Sequence, residues 1–297
     1  MTPTQPDAPA LSGVISATLP QLVGVLGGGR MGAGIAHAFL LAGCDVLVVE
    51  RDGDAAASAR ERVESAVAKS LERGQIGGAG KFMDRLAVST DYADFADKDL
   101  VVEAVPEILD LKVASLQRVE KHLHATAFLA SNTSSLSITG LAAELARPQN
   151  FIGLHFFNPV PSSTLVEVVV ASRTLPMVVD SARGWVSALG KTAVVVKDSP
   201  GFASSRLGVA LALEAMRMLE DGVASAQDID AAMVLGYKHA TGPLRTTDLV
   251  GLDVRLEIAE YLASTLGERF APPQILRDKV ARGELGRKTG RGFFDWD

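Results

Sequence analysis

His155 and Glu167 are the residues whose types and spacing point to chemistry. They lie in Phe151-Ile-Gly-Leu-His-Phe-Phe-Asn-Pro-Val-Pro-Ser-Ser-Thr-Leu-Val-Glu-Val-Val-Val170, which reads as two apolar strands joined by a Pro-rich turn. Centring the hairpin on Pro161 leaves 155 and 167 each six residues from the centre. They then face each other across the ladder, with Cβ atoms roughly 4.5–5.5 Å apart. An unpaired charge on such apolar strands is costly to bury, so a facing partner is expected. A histidine held by a carboxylate is one way to build a general base. These twenty residues alone leave a structural cross-strand pair equally open.

A base needs a reaction to serve, and the N-terminal part supplies an acceptor site. Leu22-Val-Gly-Val-Leu26 is a short apolar strand, Gly27-Gly-Gly-Arg-Met-Gly32 follows at once, and 33–42 is helix-forming sequence ending at Gly43. Val46-Leu-Val-Val49 is the next strand, closed by Glu50. Gly27, Gly29 and Gly32 fit G-x-G-x-x-G in the strand–turn–helix context that gives it meaning. The glycines allow the tight turn, the approach of backbone to a pyrophosphate and the packing of helix on strand. The helix N-terminus that follows offers free N–H groups to phosphates. Glu50 lies 18 residues after Gly32, where an acid binds a ribose diol. Arg51 beside it is suited to a 2′-phosphate, but the Glu50 carboxylate repels one, so NAD is expected over NADP. A turn serving packing alone is the alternative.

The helix at 54–71 brings Lys69 and Arg73 to one face, as a grip on a substrate phosphate or as a solvated surface. Strands are expected at 86–89, 99–104 and 127–130, with a helix at 109–123. Ser131-Asn-Thr-Ser-Ser135 then stands at the carboxyl end of a parallel strand, where open α/β sheets bind ligands. Capping of the next helix accounts for one or two of these polar residues, not five. A strand at 192–196 ends the α/β part, and Asp198-Ser-Pro-Gly201 is a turn. Beyond it, 203–220, 226–235, 252–266 and 274–281 read as helices with no strand between them. The division is a mobile tail (1–20), a nucleotide-binding domain (21–200) and a helical domain (201–297), a pattern that encloses a cleft. Leu207, Leu211, Met218 and Leu219 form an apolar face that buries either a second subunit or the domain's own core. The tail Leu285-Gly-Arg-Lys-Thr-Gly-Arg-Gly-Phe-Phe294 is expected to dock, with a phosphate-bearing ligand as one target.

The 297 residues are 47% hydrophobic and 22% charged, ordinary for a packed soluble protein. A net charge of -6 argues against a nucleic-acid surface. A single cysteine, Cys44, excludes an intrachain disulfide and fits a reducing compartment. No apolar run approaches the roughly 20 residues that span a bilayer, and the first twenty residues lack the pattern of a signal peptide. No metal site is expected.

In order and spacing, several blocks of the chain from Leu22 to Trp296 resemble the L-3-hydroxyacyl-CoA dehydrogenases, especially the bacterial 3-hydroxybutyryl-CoA dehydrogenases. The blocks are Gly27-Gly-Gly-Arg-Met-Gly-Ala-Gly-Ile35, Ser131-Asn-Thr-Ser-Ser-Leu136, His155-Phe-Phe-Asn-Pro-Val-Pro161, Leu165-Val-Glu-Val168, Pro200-Gly-Phe202 and Gly286-Arg-Lys-Thr-Gly-Arg-Gly-Phe293. The resemblance implies a Rossmann-type doubly wound α/β sheet with an added antiparallel hairpin, followed by an all-α C-terminal domain. It implies NAD-dependent oxidation of an L-3-hydroxyacyl-CoA to the 3-ketoacyl-CoA. His155 matches the base, Glu167 the carboxylate that orients it, and Ser134 the serine that touches substrate and nicotinamide. The loop Gly27, Gly28, Gly29, Arg30, Met31, Gly32 and the residues Glu50, Glu107, Lys112, Asn158 and Lys288 match cofactor contacts; Arg73 falls near a basic position that holds coenzyme A, with Lys69 beside it. Ser205 stands where the family has an asparagine in the active site, at a cost of roughly 1–3 kcal/mol if its partner is left unsatisfied. A cytoplasmic homodimer through the helical domain is implied, acting on an acyl-CoA and on neither nucleic acid nor membrane. A dehydrogenase for a free hydroxy acid on the same scaffold is the competing enzyme reading, and a dinucleotide-binding protein without turnover the non-enzymatic one.

Overall fold

Strands with apolar residues at every position need cover on both faces, and the N-terminal half provides it. The computed structural model describes residues 19–297, so the expected tail lies outside the described residues up to residue 18. In chain order the α/β half comprises β1 (Leu22–Leu26), α1 (Arg30–Leu41), β2 (Asp45–Val49), α2 (Gly53–Glu72), α3 (Gly80–Met83), β3 (Leu86–Ser89), β4 (Leu100–Glu103), α4 (Leu109–Glu120), β5 (Phe128–Ser131), α5 (Ile138–Ala143), β6 (Phe151–Phe156), β7 (Leu165–Val170), α6 (Pro176–Ala188) and β8 (Thr192–Lys197). The strands form one sheet in the order β3-β2-β1-β4-β5-β6-β7-β8. Pairing is parallel throughout except between β6 and β7.

Alternation along the strands divides the core. Val23, Val25, Val46, Val48, Leu100 and Val102 face α1, α2 and α6; Leu47, Val49 and Val101 face α4 and α5. Each buried Val or Leu contributes about 1.5–3 kcal/mol, so the two layers together hold the sheet. Strand order reverses between β1 and β4, which opens a crevice at their carboxyl ends. The Thr192–Lys197 run has the apolar composition of a central strand, yet it forms the sheet's edge and leaves Val194 and Val195 exposed.

The second half is helical: α7 (Ser204–Glu220), α8 (Ala226–Ala231), α9 (Pro243–Val250), α10 (Leu252–Leu266) and α11 (Gln274–Ala281). The expected helix at 226–235 is α8 followed by a π-helical turn over Ala232–Gly236. The α9 segment was not expected as a helix. Its signals are Pro243 in the first turn and Gly251 after the last, with Asp230 accepting from Leu244 N (2.8 Å) and Arg245 N (2.9 Å) at its start. The apolar face of α7 divides: Met218 and Leu219 pack on the helical core, whereas Leu207 is 71% exposed.

The tail docks on α9. Buried Asp248 accepts hydrogen bonds from Phe293 N (2.8 Å), Phe294 N (2.9 Å) and Trp296 Nε1 (2.8 Å), and Arg245 lies over the rings of Phe294 and Trp296. Replacing Asp248 by Ala strands three partly buried donors and is expected to cost about 2–4 kcal/mol. Urea denaturation measures the loss, and limited proteolysis should release the tail first.

Candidate functional site

The β6–β7 register pairs His155 with Glu167 directly, as centring the hairpin on Pro161 requires. Both side chains are buried, and His155 Nδ1 lies 2.8 Å from Glu167 Oε2. An ionised carboxylate only accepts, so Nδ1 carries the hydrogen and Nε2 holds the lone pair. The Phe157 and Phe202 rings flank the imidazole at 4.5 and 5.7 Å between centroids. Phe202 reaches it from a left-handed backbone (φ 49°), an uncommon conformation for a residue with a side chain.

Glu167 has further partners that sequence reading missed. The backbone N–H groups of Ala203 (3.0 Å) and Ser204 (2.8 Å) donate to Oε1, and Ser204 Oγ donates to Oε2 (2.7 Å). Burial pushes the Glu167 pKa up, but the hydrogen bonds from His155 and Ser204 and the nearby His155 charge outweigh it, leaving the carboxyl below its ordinary value. The serine pair Ser204-Ser205 at a helix start was the available signal. It is Ser204 that bonds Glu167; Ser205 makes no hydrogen bond to that carboxylate.

The 131–135 turn separates into structural members and a free one. Ser131 donates to Glu103 (2.6 Å), and Asn132 Oδ1 accepts from Phe156 N (2.8 Å), which ties the turn to the strand bearing His155. Thr133 Oγ1 and Ser135 Oγ donate to Glu107, as do the N–H groups of Ser134 and Ser135. Only the Ser134 hydroxyl lacks a side-chain bond among the described residues of this turn. Beneath them Lys112 is buried between Glu103 (2.7 Å) and Glu107 (3.2 Å), and also donates to Val105 O. Burial raises the Glu107 pKa, but the Lys112 charge and the Thr133, Ser135 and Ser134 donors bring it below the ordinary range. Glu103, where β4 ends, was not singled out from sequence; a buried acid nine residues before a buried lysine is its signal.

The glycine loop fits a dinucleotide. A Cβ at Gly32 would meet Gly27 O at 1.8 Å, so the helix start and the turn approach as closely as backbone allows. A Cβ at Gly29 would meet no protein atom within 4 Å, so the space beside this glycine is open. Glu50 accepts from Gly28 N (2.7 Å), placing its carboxylate at the loop. Beside the loop, Arg30, Arg62, Lys69 and Arg73 line a cavity of about 610 Å³ closed on the other side by Asn158 and the hairpin turn. The sequence readings at Lys69, Arg73 and Asn158 thus meet in one groove. Met31 packs against the sheet core, and Lys288 belongs to the docked tail, where Asp253 engages its ammonium at 2.6 Å.

Residues 22–199 match the family model "3-hydroxyacyl-CoA dehydrogenase, NAD binding domain", and residues 201–296 match its C-terminal domain. A 3-hydroxybutyryl-CoA dehydrogenase of Mycobacterium tuberculosis is 41% identical over 93% of this chain and 98% of its own. The crystal structure of (S)-3-hydroxybutyryl-CoA dehydrogenase from Ralstonia eutropha is similar at TM-score 0.90 and 37% identity, over 94% of this chain and 99% of that one. A diketoreductase structure is similar at TM-score 0.82 and 30% identity, over 94% and 100%.

A carboxylate with a lowered folded pKa contributes stability above the ordinary carboxylate range and loses it as pH falls through the folded value. Ser204→Ala removes a charge-assisted donor from Glu167 and should destabilise the protein at pH 7 by about 1–2 kcal/mol. The difference from wild type should narrow once the medium is acidic enough to protonate Glu167. Denaturant unfolding at both pH values measures it; an equal difference at both would dissociate the effect from the carboxylate.

Proposed function

The chain belongs to the 3-hydroxyacyl-CoA dehydrogenase family, and on that premise we propose that it oxidises an L-3-hydroxyacyl-CoA to the 3-ketoacyl-CoA with NAD, reversibly. The observation that carries this reading is the buried His155–Glu167 hydrogen bond, which leaves Nε2 as the free base.

The crevice at the ends of β1 and β4 is where NAD would be held, and NAD would supply the hydride acceptor for C3 of the substrate. Glu50 and the loop Gly27–Gly32 would hold its ribose and pyrophosphate. His155 Nε2 takes the proton of the 3-hydroxyl, and Glu167 stabilises the imidazolium through Nδ1. Ser134 donates to the reacting oxygen. Glu107 fixes the Ser134 backbone, and Lys112 holds Glu107. In reduction the protonated His155 returns its proton to the ketone oxygen. Lys69 and Arg73 grip phosphate of coenzyme A in the basic groove.

A free hydroxy acid or dicarbonyl is the second reading, favoured by the similarity to a diketoreductase. Initial rates with C4 to C16 3-hydroxyacyl-CoA esters, against free hydroxy acids and with NAD and NADP, separate the two. Absence of CoA-ester turnover sinks the first reading. A homodimer through the helical domain is part of the proposal; it would cover Leu235 and Tyr237, 69% and 76% exposed. A monomer in sedimentation at micromolar concentration counts against it. No helix of the described residues is long and apolar enough to cross a membrane; a cytoplasmic location is proposed, with buried Cys44 compatible with a reducing compartment.

His155→Gln is expected to lower kcat by roughly 10²–10⁴-fold, with KM for the acyl-CoA little changed. Retained turnover would show that another group is the base. The Lys69→Ala, Arg73→Ala double variant should raise KM for the acyl-CoA about three- to tenfold, kcat unchanged, and the effect should shrink as salt is added.

A further inference from the structure

Arg255, in the first turn of α10, is a buried cation that the reaction does not use. It is 8% exposed, its Nε has no hydrogen-bond partner among the described residues, and burial depresses its pKa with no acidic group among them opposing the shift. Other buried charges here are answered: Lys112 by two glutamates, Asp230 and Asp248 by backbone donors. Leaving a guanidinium buried without a counter-charge is strongly unfavourable.

The guanidinium lies against Gly208 of α7. A Cβ at Gly208 would come within 3.4 Å of Nη1 and 3.7 Å of Nη2, so the absent side chain keeps the fork uncovered. Both residues line a cavity of about 290 Å³. Its walls are apolar at Leu207, Leu211 and Pro243. Thr241 and Thr246 contribute hydroxyls 2.7 Å apart, and His239 stands at the same cavity. No carboxylate among the described residues lines it.

We propose that this cavity is a binding site for a small carboxylate, whose two oxygens take the Arg255 fork. A planar guanidinium with parallel N–H groups matches a carboxylate bidentately. The apolar walls and small volume suit a short aliphatic chain behind that carboxylate and exclude a nucleotide. Position relates the cavity to the reaction. Leu207, Gly208 and Leu211 follow Ser204 at i+3, i+4 and i+7, on one face of α7, and the Ser204 hydroxyl bonds Glu167. Gly208 is thus about 6 Å along the helix from the residue that anchors the proposed catalytic pair. The carboxylate has two sources: the far end of the acyl chain, which rests on the function proposed above, or a free short-chain acid.

The test has two arms. In the first, kcat/KM is compared for two six-carbon 3-hydroxyacyl-CoA esters, one ending in methyl and one in carboxylate. The wild type should favour the carboxylate; in Arg255→Met the ratio should fall roughly 10- to 100-fold, with partial recovery in Arg255→Lys. In the second, calorimetry measures sodium glutarate binding to wild type and Arg255→Met without turnover. A response in the first arm identifies the acyl chain as the source, and a response in the second alone identifies a free acid. No Arg255-dependent response in either overturns the proposal. So does loss of the dimer in Arg255→Met with both arms silent, because the partner is then an acid on a second copy. If the wild type turns over no CoA ester, the proposed function falls while glutarate binding still decides the cavity. Arg255→Met should raise Tm without ligand, since it removes an uncompensated cation; if it fails to fold, Arg255→Lys carries both comparisons.

Discussion

Glu167 is the junction on which both halves of the molecule depend. One carboxylate takes the imidazole from the facing strand on Oε2 and the first N–H groups of α7 on Oε1. A charge buried in an apolar strand survives only if its lone pairs are filled. The hairpin fills one with His155, and the helical half fills the others with Ala203 and Ser204. The same bonds that make the carboxylate tolerable also orient the imidazole and set where α7 begins. Positioning the histidine and docking the second domain are therefore one event.

The crevice uses the same solution twice more. Glu103 and Glu107 are held by hydroxyls, amides and one lysine between them. Each acid ends or follows a strand of the parallel sheet, where backbone donors of the next turn are within reach. The one buried lysine thus answers two acids at once, and the remaining carboxylate oxygens are filled by hydroxyl and amide donors. The remaining acid of this edge, Glu50, completes the glycine loop from β2. Four carboxylates, Glu50, Glu103, Glu107 and Glu167, thus stand along this edge, and among the described residues only Glu50 is free of a cationic or imidazole partner.

The pattern of short continuous apolar runs, punctuated by glycine, made the sheet and its hairpin legible in the sequence. It even specified the facing of residues 155 and 167, because a one-residue slip would turn both to the opposite faces. What sequence could not show is what depends on contacts between distant segments. The edge position of Thr192–Lys197 leaves no mark on an apolar run of six. The eight residues of α9 are stabilised by Asp230 from another helix and by the docked tail, not by a long apolar face. The use of Glu103 required knowing that β4 and β5 are neighbours. The basic and glycine-rich tail suggested a ligand, but much of its pattern belongs to its own docking: Gly286 and Gly292 let backbone pass Asp248, and Arg291 and Lys288 meet acids of this chain.

The start of α7 shows how a departure from a family pattern is to be judged. Counting along Pro200-Gly-Phe-Ala-Ser-Ser-Arg206 places the exchange at Ser205, and the loss of an amide there reads as a lost contact. In three dimensions the neighbouring hydroxyl, Ser204, bonds Glu167 and reinforces the proposed base from behind. A helix N-terminus offers donors at successive positions, so a side chain one residue away serves a different face of the same site. Ser204 therefore bears on how firmly Glu167 is held, and that role is read in the pH dependence of folding.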